Sequence, residues 1–164
     1  MVKAAIIGCG KIAQVRHIPE YLEHQAVNLV GFYDLNEKRA EELAEKYGGK
    51  AYGSVEELLA DPQIDAVSIC TANHTHAELT IKALKAGKHV LCEKPLVLVG
   101  NKAKELYQLA NDKKLILQEA IKTAYSPGFQ HFYTLIKSGA IGVIKDVDAS
   151  FTKLISGNTR ELDI

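Results

Sequence analysis

The sequence lacks an excess of charge of either sign. Twenty lysine and arginine residues balance twenty aspartate and glutamate residues in a chain of 164, so the formal net charge is zero. A protein that binds nucleic acid needs a basic surface to neutralise the phosphate backbone. We therefore expect no nucleic-acid partner.

Long apolar runs are also missing. The longest, such as Ala4–Ile7 and Pro95–Val99, fall far short of the roughly 20 residues that cross a bilayer. The N-terminus shows no charged segment followed by a long apolar core, so no signal peptide is evident. Three widely spaced cysteines do not form a disulfide framework. These absences predict a reduced, cytoplasmic protein without a membrane partner.

The sequence does contain a regular alternation of short apolar runs and longer amphipathic stretches. The apolar runs predict strands at 3–8, 27–33, 65–70, 88–92 and 115–118. The amphipathic stretches predict helices at 11–24, 36–47, 54–60, 75–86, 101–113 and 126–137. Strands that are apolar throughout indicate a parallel sheet covered on both faces. The predicted fold class is α/β, a doubly wound Rossmann sheet, with a ligand at the carboxyl ends of the strands.

The pattern changes near the C-terminus. Val147, Ala149 and Phe151 alternate with polar residues, a period of two that is typical of a strand with one buried face. We therefore predict a dinucleotide-binding domain at 1–120 and the truncated start of an α/β substrate or oligomerisation domain at 121–164. Without a sheet beside it, the apolar face should either join a second copy in a homo-oligomer or be poorly ordered beyond Phe151.

A glycine motif lies between the first predicted strand and the first helix. Gly8, Gly10 and Ala13 match G-x-G-x-x-G/A. Gly8 permits a tight turn, Gly10 lets the backbone approach a pyrophosphate, and Ala13 allows the helix to pack closely on the strand. The helix N-terminus offers free N–H groups to the anion. The alternative is a turn that uses small residues for packing alone, but the strand, the helix and a later acidic residue favour a dinucleotide site.

That acidic residue is Asp34, 21 positions after Ala13, at the end of the second predicted strand. Asp34 would accept hydrogen bonds from the adenosine ribose and repel a 2′-phosphate, which favours NAD over NADP. It could equally cap the next helix, a compatible role. Lys38 and Arg39 follow closely and could bind a 2′-phosphate, so NADP stays open.

Other polar residues follow the next two long strands at the same edge. Glu93, Lys94 and Pro95 form a candidate site, and the alternative is a solvated loop. His74 and His76 could be acid/base groups, or they could cap or pack the start of a helix.

Each of the three cysteines lies at the end of a predicted strand. Cys9, Cys70 and Cys92 could therefore approach one another in a parallel sheet. No C-x-x-C spacing supports a metal site. We expect small buried thiols and no bound metal.

Several segments, taken in order, resemble the N-terminal part of the Gfo/Idh/MocA oxidoreductases. They are GCGKIA at 8–13, Asp34, TANHTHAEL at 71–79, CEKPL at 92–96, QEA at 118–120, Pro127 and SGAIGVIKDVDASF at 138–151. The resemblance implies an NAD(P)-dependent oxidoreductase. Such an enzyme transfers hydride between nicotinamide and the hydroxyl or carbonyl group of a sugar or cyclitol.

The resemblance also implies roles for individual residues. Glu93 would bind the ribose on the nicotinamide side, Pro95 would fix the loop, and Lys94 would be catalytic, bonded to the reacting hydroxyl. The cofactor-binding set is Gly8, Cys9, Gly10, Lys11, Ile12, Ala13, Asp34, Thr71, Asn73, His76, Glu93, Lys94 and Pro95. Thr71, Asn73 and His76 would line the pocket largely through backbone and helix-start contacts.

The Asp/His pair of the family's substrate domain has no counterpart here, and His131 is not assigned that role. We therefore expect the 164-residue chain to bind cofactor without useful turnover. The alternative function is a non-catalytic nucleotide-binding or redox-sensing module. Lys94 favours the oxidoreductase, because a sensor would not need this lysine.

Overall fold

The computed structural model describes residues 1–150, and the chain divides into two compact units, 1–121 and 122–164. The first unit contains one sheet of six parallel strands in the order β3-β2-β1-β4-β5-β6. The strands are β1 Val2–Ile7, β2 Val27–Tyr33, β3 Lys50–Ala51, β4 Ala66–Ile69, β5 His89–Cys92 and β6 Leu117–Glu119. The predicted doubly wound α/β class is confirmed. Only the two-residue β3 had no sequence signal.

Helices connect these strands close to the predicted positions. They are α1 Ile18–Glu23, α2 Glu37–Tyr47, α3 Val55–Ala60, α4 His76–Lys85 and α5 Asn101–Asp112. A π-helical turn, Ala13–His17, precedes α1. A 3-10 turn, Asn73–Thr75, precedes α4. The sequence predicted one continuous helix over 11–24, so the wider π-helical turn is a local departure from it.

The core lies on both faces of the sheet, as apolar parallel strands require. Ile6 and Ile7 are consecutive in β1 and both fully buried, on opposite faces. Ile6 packs in a cluster with Phe32 and Ile18, whereas Ile7 belongs to a second cluster that includes Leu84. Because both faces are covered, the exposed loops at the carboxyl edge remain as the place for a site.

The second unit contains a 3-10 turn, Lys122–Tyr125, and helix α6, Pro127–Lys137. The Ser126 hydroxyl accepts a hydrogen bond from the Phe129 N–H and so caps α6. The described residues 143–150 contain no strand, in contrast to the prediction. A strand needs a neighbour that pairs with its backbone, and no described residue pairs with this segment. Phe151, the last apolar residue of that pattern, lies outside the described residues.

Candidate functional site

Gly8 turns the chain sharply after β1. Its φ is +92°, and a Cβ there would lie 2.8 Å from the backbone carbon and oxygen of Cys70. Only glycine fits this position without moving the backbone. Gly10 is different, since a Cβ there would meet no atom within 4 Å. The open side of Gly10 is the space through which a ligand can approach the loop.

The helix that follows the loop begins at the surface. Lys11 and Ile12 are exposed, whereas Ala13 is fully buried and packs in the cluster that contains Ile6 and Cys9. The first N–H groups of a helix have no acceptor within it. Such N–H groups can bind an anion, and here they lie beside the open Gly10. These residues therefore fit the pyrophosphate of a dinucleotide.

Asp34 lies buried at the end of β2. Its Oδ2 accepts the Cys9 N–H at 2.7 Å, and its Oδ1 accepts the Asn36 N–H at 2.8 Å. The Arg39 guanidinium also donates to Oδ1, at 3.3 Å. Asn36, not Asp34, caps α2, because the Asn36 side chain accepts the Arg39 N–H. The capping alternative for Asp34 is therefore wrong, and Asp34 instead ties the glycine loop to the end of β2.

Glu93 follows β5, and its side chain is hydrogen-bonded to His17. The Nε2 of His17 donates to Glu93 Oε1 at 2.9 Å, while Oε2 accepts the Lys94 N–H at 3.3 Å. The hydrogen bond from His17 is the main reason that the pKa of Glu93 lies below its ordinary value. Glu93 thus stays an ionised acceptor near neutral pH. His17 was not among the predicted site residues, although a histidine close to the glycine motif was a usable signal.

Hydrogen bonds hold the loop after Glu93 in place on both sides of Lys94. The Lys94–Pro95 peptide is cis. The Pro95 carbonyl bonds to Nδ1 of His76 at 2.8 Å, and the Leu96 N–H donates to Glu119 Oε1 at 2.8 Å. The Lys94 side chain is exposed. Glu119 is a second residue whose contact sequence analysis did not predict.

The segment after β4 contributes a buried histidine. His76 is fully buried at the start of α4, and its Nε2 lies 3.1 Å from the Thr71 carbonyl. His76 therefore joins the end of β4 to the loop after β5, which is the packing alternative rather than the acid/base one. The Thr71 and Thr75 hydroxyls share a hydrogen bond of 2.7 Å. Asn73 and His74 are exposed in the 3-10 turn, and the cofactor contacts of this segment stay a prediction.

The three thiols are free and buried, as predicted. Burial raises the pKa of Cys9 and of Cys92 to about 12. Burial also raises the pKa of Cys70.

In residues 1–150, no three histidine, cysteine or acidic side chains are grouped as a metal site would need. In the same residues, no helix combines the length and the apolar character that a membrane span requires.

The predicted residues of the first unit meet at one edge of the sheet. The glycine loop follows β1, Asp34 follows β2, Thr71 follows β4 and Glu93 follows β5. Because β1 lies between β2 and β4, the chain connections diverge at this point, where parallel sheets of this type bind dinucleotides. Sheet order, glycine loop and acidic residue together are typical of a dinucleotide-binding Rossmann domain.

Comparison with known families agrees with this class. Residues 2–121 match the profile described as "Oxidoreductase family, NAD-binding Rossmann fold". The chain belongs to the Gfo/Idh/MocA family of oxidoreductases. The resemblance noted in the sequence is thereby confirmed.

Two of the relatives with named activities illustrate the range of the family. A trans-1,2-dihydrobenzene-1,2-diol dehydrogenase of Sus scrofa is 35% identical over 164 residues, which are 99% of this chain and 48% of that protein. A D-xylose 1-dehydrogenase (NADP(+)) of Hypocrea jecorina is 42% identical over 111 residues, which are 65% of this chain and 28% of that protein. The chain thus spans less than half the length of these relatives.

The fold also matches a solved enzyme structure. The 3-ketoreductase KijD10 of Actinomadura kijaniata, in complex with NADP and TDP-benzene, superposes with a TM-score of 0.78 at 29% sequence identity. The match covers 84% of this chain and 42% of the KijD10 chain.

Proposed function

We propose that this chain forms the cofactor-binding part of an NAD(P)-dependent oxidoreductase that acts on a sugar, cyclitol or related diol. The observation that carries the proposal is the loop at 93–95, where the residues around Lys94 are fastened and the Lys94 side chain is exposed. A packing loop would not need an exposed lysine between two fixed neighbours. The names of the diol and xylose dehydrogenases support the substrate class.

The proposed residues have two roles, namely cofactor binding and proton transfer. The glycine loop and the helix after it bind the pyrophosphate through backbone N–H groups. Glu93 accepts hydrogen bonds from the ribose next to the nicotinamide. A bound nicotinamide would supply the hydride, or the acceptor for it, at the substrate carbon. In the direction of reduction, the Lys94 ammonium would donate a hydrogen bond and then a proton to the carbonyl oxygen of the substrate. In the direction of oxidation, the neutral Lys94 amine would accept the proton of the hydroxyl group.

Asp34 and Arg39 together set the cofactor preference. The Arg39 guanidinium is bound to the Asp34 carboxylate, so its charge is already neutralised and it is less free to bind a 2′-phosphate. We infer that NAD is preferred over NADP. The NADP in the name of the xylose dehydrogenase and in the KijD10 complex belongs to those proteins and makes the NADP alternative a necessary comparison.

Calorimetric titration with NADH and NADPH tests both the site and the preference. The wild type should bind NADH more tightly, on the order of tenfold, which equals about 1.4 kcal/mol. Asp34→Ser should reverse the order, because it removes the carboxylate and releases Arg39. Arg39→Ala should further weaken NADPH binding and serves as the matched control. Tighter NADPH binding by the wild type would contradict the preference, and no binding of either cofactor would contradict the proposed site.

Turnover separates the oxidoreductase from a non-catalytic nucleotide-binding module. We expect the 164-residue chain to give no useful turnover in a screen of sugars and inositols with NAD⁺, followed by the absorbance of reduced nicotinamide. Robust turnover that is abolished by Lys94→Ala would contradict this expectation. Sequencing beyond codon 164 distinguishes the functions. An open frame encoding a substrate domain supports the oxidoreductase, and a stop codon supports the module.

A further inference from the structure

A chain of hydrogen-bonded polar side chains leads from Glu93 through two buried residues, His17 and Ser68, to the half-buried Tyr21. His17 comes from the π-helical turn, Ser68 from β4 and Tyr21 from α1. The Nδ1 of His17 lies 3.3 Å from Ser68 Oγ, and the Tyr21 hydroxyl hydrogen-bonds the same oxygen. These contacts join Glu93 to residues that are 25 to 76 positions away in the sequence.

The pair formed by His17 and Glu93 is unusually well buried. The two side chains are 7% and 15% exposed, whereas each pair of lysine or arginine with a carboxylate in residues 1–150 has a partner that is at least 40% exposed. Removing a carboxylate from water costs free energy that its hydrogen bonds offset only in part. Stability therefore gives no sufficient reason for this pair, and a role at the adjacent site does.

One assignment of protons satisfies every member of the chain. The Tyr21 hydroxyl donates to Ser68 Oγ, the Ser68 hydroxyl donates to Nδ1 of His17, and Nε2–H of His17 donates to Glu93. Each group then donates toward Glu93, and the histidine ring has a single orientation. Fixed in this way, His17 occupies Oε1 of Glu93. Within residues 1–150, the contact of Oε2 is the longer one of 3.3 Å with the Lys94 N–H.

We infer that His17 is a positioning residue for the cofactor. By holding Oε1, it fixes the Glu93 side chain so that Oε2 is available to the hydroxyl groups of the nicotinamide-side ribose. The inference rests on the proposed role of Glu93. His17 reaches the ligand only through Glu93, so its effect should be confined to the half of the cofactor that Glu93 binds.

Two isosteric substitutions separate this role from packing. In His17→Gln the side-chain amide reaches the place of Nε2 and can still donate to Glu93. In His17→Asn the amide reaches only the place of Nδ1, so it keeps the Ser68 contact and loses Glu93. The ligands are ADP-ribose, which has both riboses, and AMP, which has only the adenosine part. Dissociation constants are measured by calorimetry on the 164-residue chain.

His17→Asn should weaken ADP-ribose binding about tenfold, as expected for one hydrogen bond to a charged group, and leave AMP binding within about twofold. His17→Gln should restore ADP-ribose binding to within about threefold of the wild type. Glu93→Ala should weaken ADP-ribose binding at least as much as His17→Asn. Adding His17→Asn to Glu93→Ala should have no further effect, because the two residues act through one contact. His24→Asn, at an exposed position after α1, is the control.

The outcomes distinguish the two levels of the argument. If Glu93→Ala weakens ADP-ribose binding and His17→Asn does not, the inference about His17 is wrong while the proposed function stands. If Glu93→Ala has no effect, the proposed role of Glu93 is itself wrong. Equal weakening of AMP and ADP-ribose by both His17 variants would show a structural role and would overturn the inference.

Discussion

Asp34 and Glu93 are two carboxylates at the same edge of the sheet, but they are held in different ways. Asp34 is bound by the backbone N–H groups of Cys9 and Asn36. Glu93 is bound by a side chain, that of His17, 76 positions away. Backbone N–H groups are present whatever the side chains are, so the fold itself secures Asp34. Glu93 instead depends on the identity of one distant residue.

The largest expected effect concerns the backbone that holds Asp34. Gly8→Ala places a Cβ 2.8 Å from the Cys70 backbone at a φ of +92°, which displaces the loop and with it the Cys9 N–H. We expect the free energy of unfolding to fall by about 2–4 kcal/mol. Urea denaturation measures this loss.

Gly10→Ala is the matched control for Gly8→Ala. The added methyl group enters open space, so the free energy of unfolding should change by no more than about 0.5 kcal/mol. NADH binding should nevertheless weaken, because the methyl group stands where the pyrophosphate approaches. Equal destabilisation by both substitutions would contradict the different roles of Gly8, which the turn requires, and Gly10, which leaves space for a ligand.

A smaller effect should appear in the pH dependence of stability through Glu93. The pKa of Glu93 in the folded chain lies below its ordinary value of 4.5. The stabilisation is therefore fully present above that ordinary value and is lost as the pH falls through the folded pKa. Urea denaturation from pH 7 to pH 3 should show a shallower acid-side loss for Glu93→Gln than for the wild type. If the free energy of unfolding depended on pH in the same way in both proteins, the hydrogen bond from His17 would not stabilise the ionised form of Glu93.

The smallest expected effect concerns the thiols near the two carboxylates. We expect these thiols to be unreactive in the folded chain. Burial raises the pKa of Cys9, beside Asp34, and of Cys92, before Glu93, to about 12. The thiolate is the reactive form, so neither residue should react with a disulfide reagent at pH 8 in the folded chain. All three cysteines should react in denaturant. Fast labelling of only one native thiol would show that its side of the site opens more readily.

The difference between the two carboxylates also explains what the sequence could predict. Asp34 was found because its spacing from the glycine loop follows from the local geometry of a strand, a turn and a helix. His17 was missed as a partner because its contact with Glu93 arises only when β1, β4 and β5 lie side by side in the sheet. The contact of Glu119 arises only when β5 and β6 pair. Most of the strands were recognisable, since each lies in or beside a short apolar run, but the two residues of β3 do not.

The C-terminal segment shows the limit of hydrophobic patterns. Alternation at Val147 and Ala149 predicted a strand, but the described residues 143–150 form none. An alternating pattern states which side chains could be buried together. It does not supply the neighbouring strand, and without such a neighbour the backbone N–H and C=O groups are not paired.

Through the polar chain that starts at Tyr21, ligand binding at Glu93, in its proposed role, should be coupled to the local unfolding of α1. Tyr21 lies on α1, and its hydrogen bonds reach Glu93 through Ser68 and His17. A ligand that binds only when Glu93 is held must also favour the state in which α1 is docked. Amide hydrogens of α1 should then exchange more slowly when the nicotinamide half of the site is filled, although that helix need never touch the ligand.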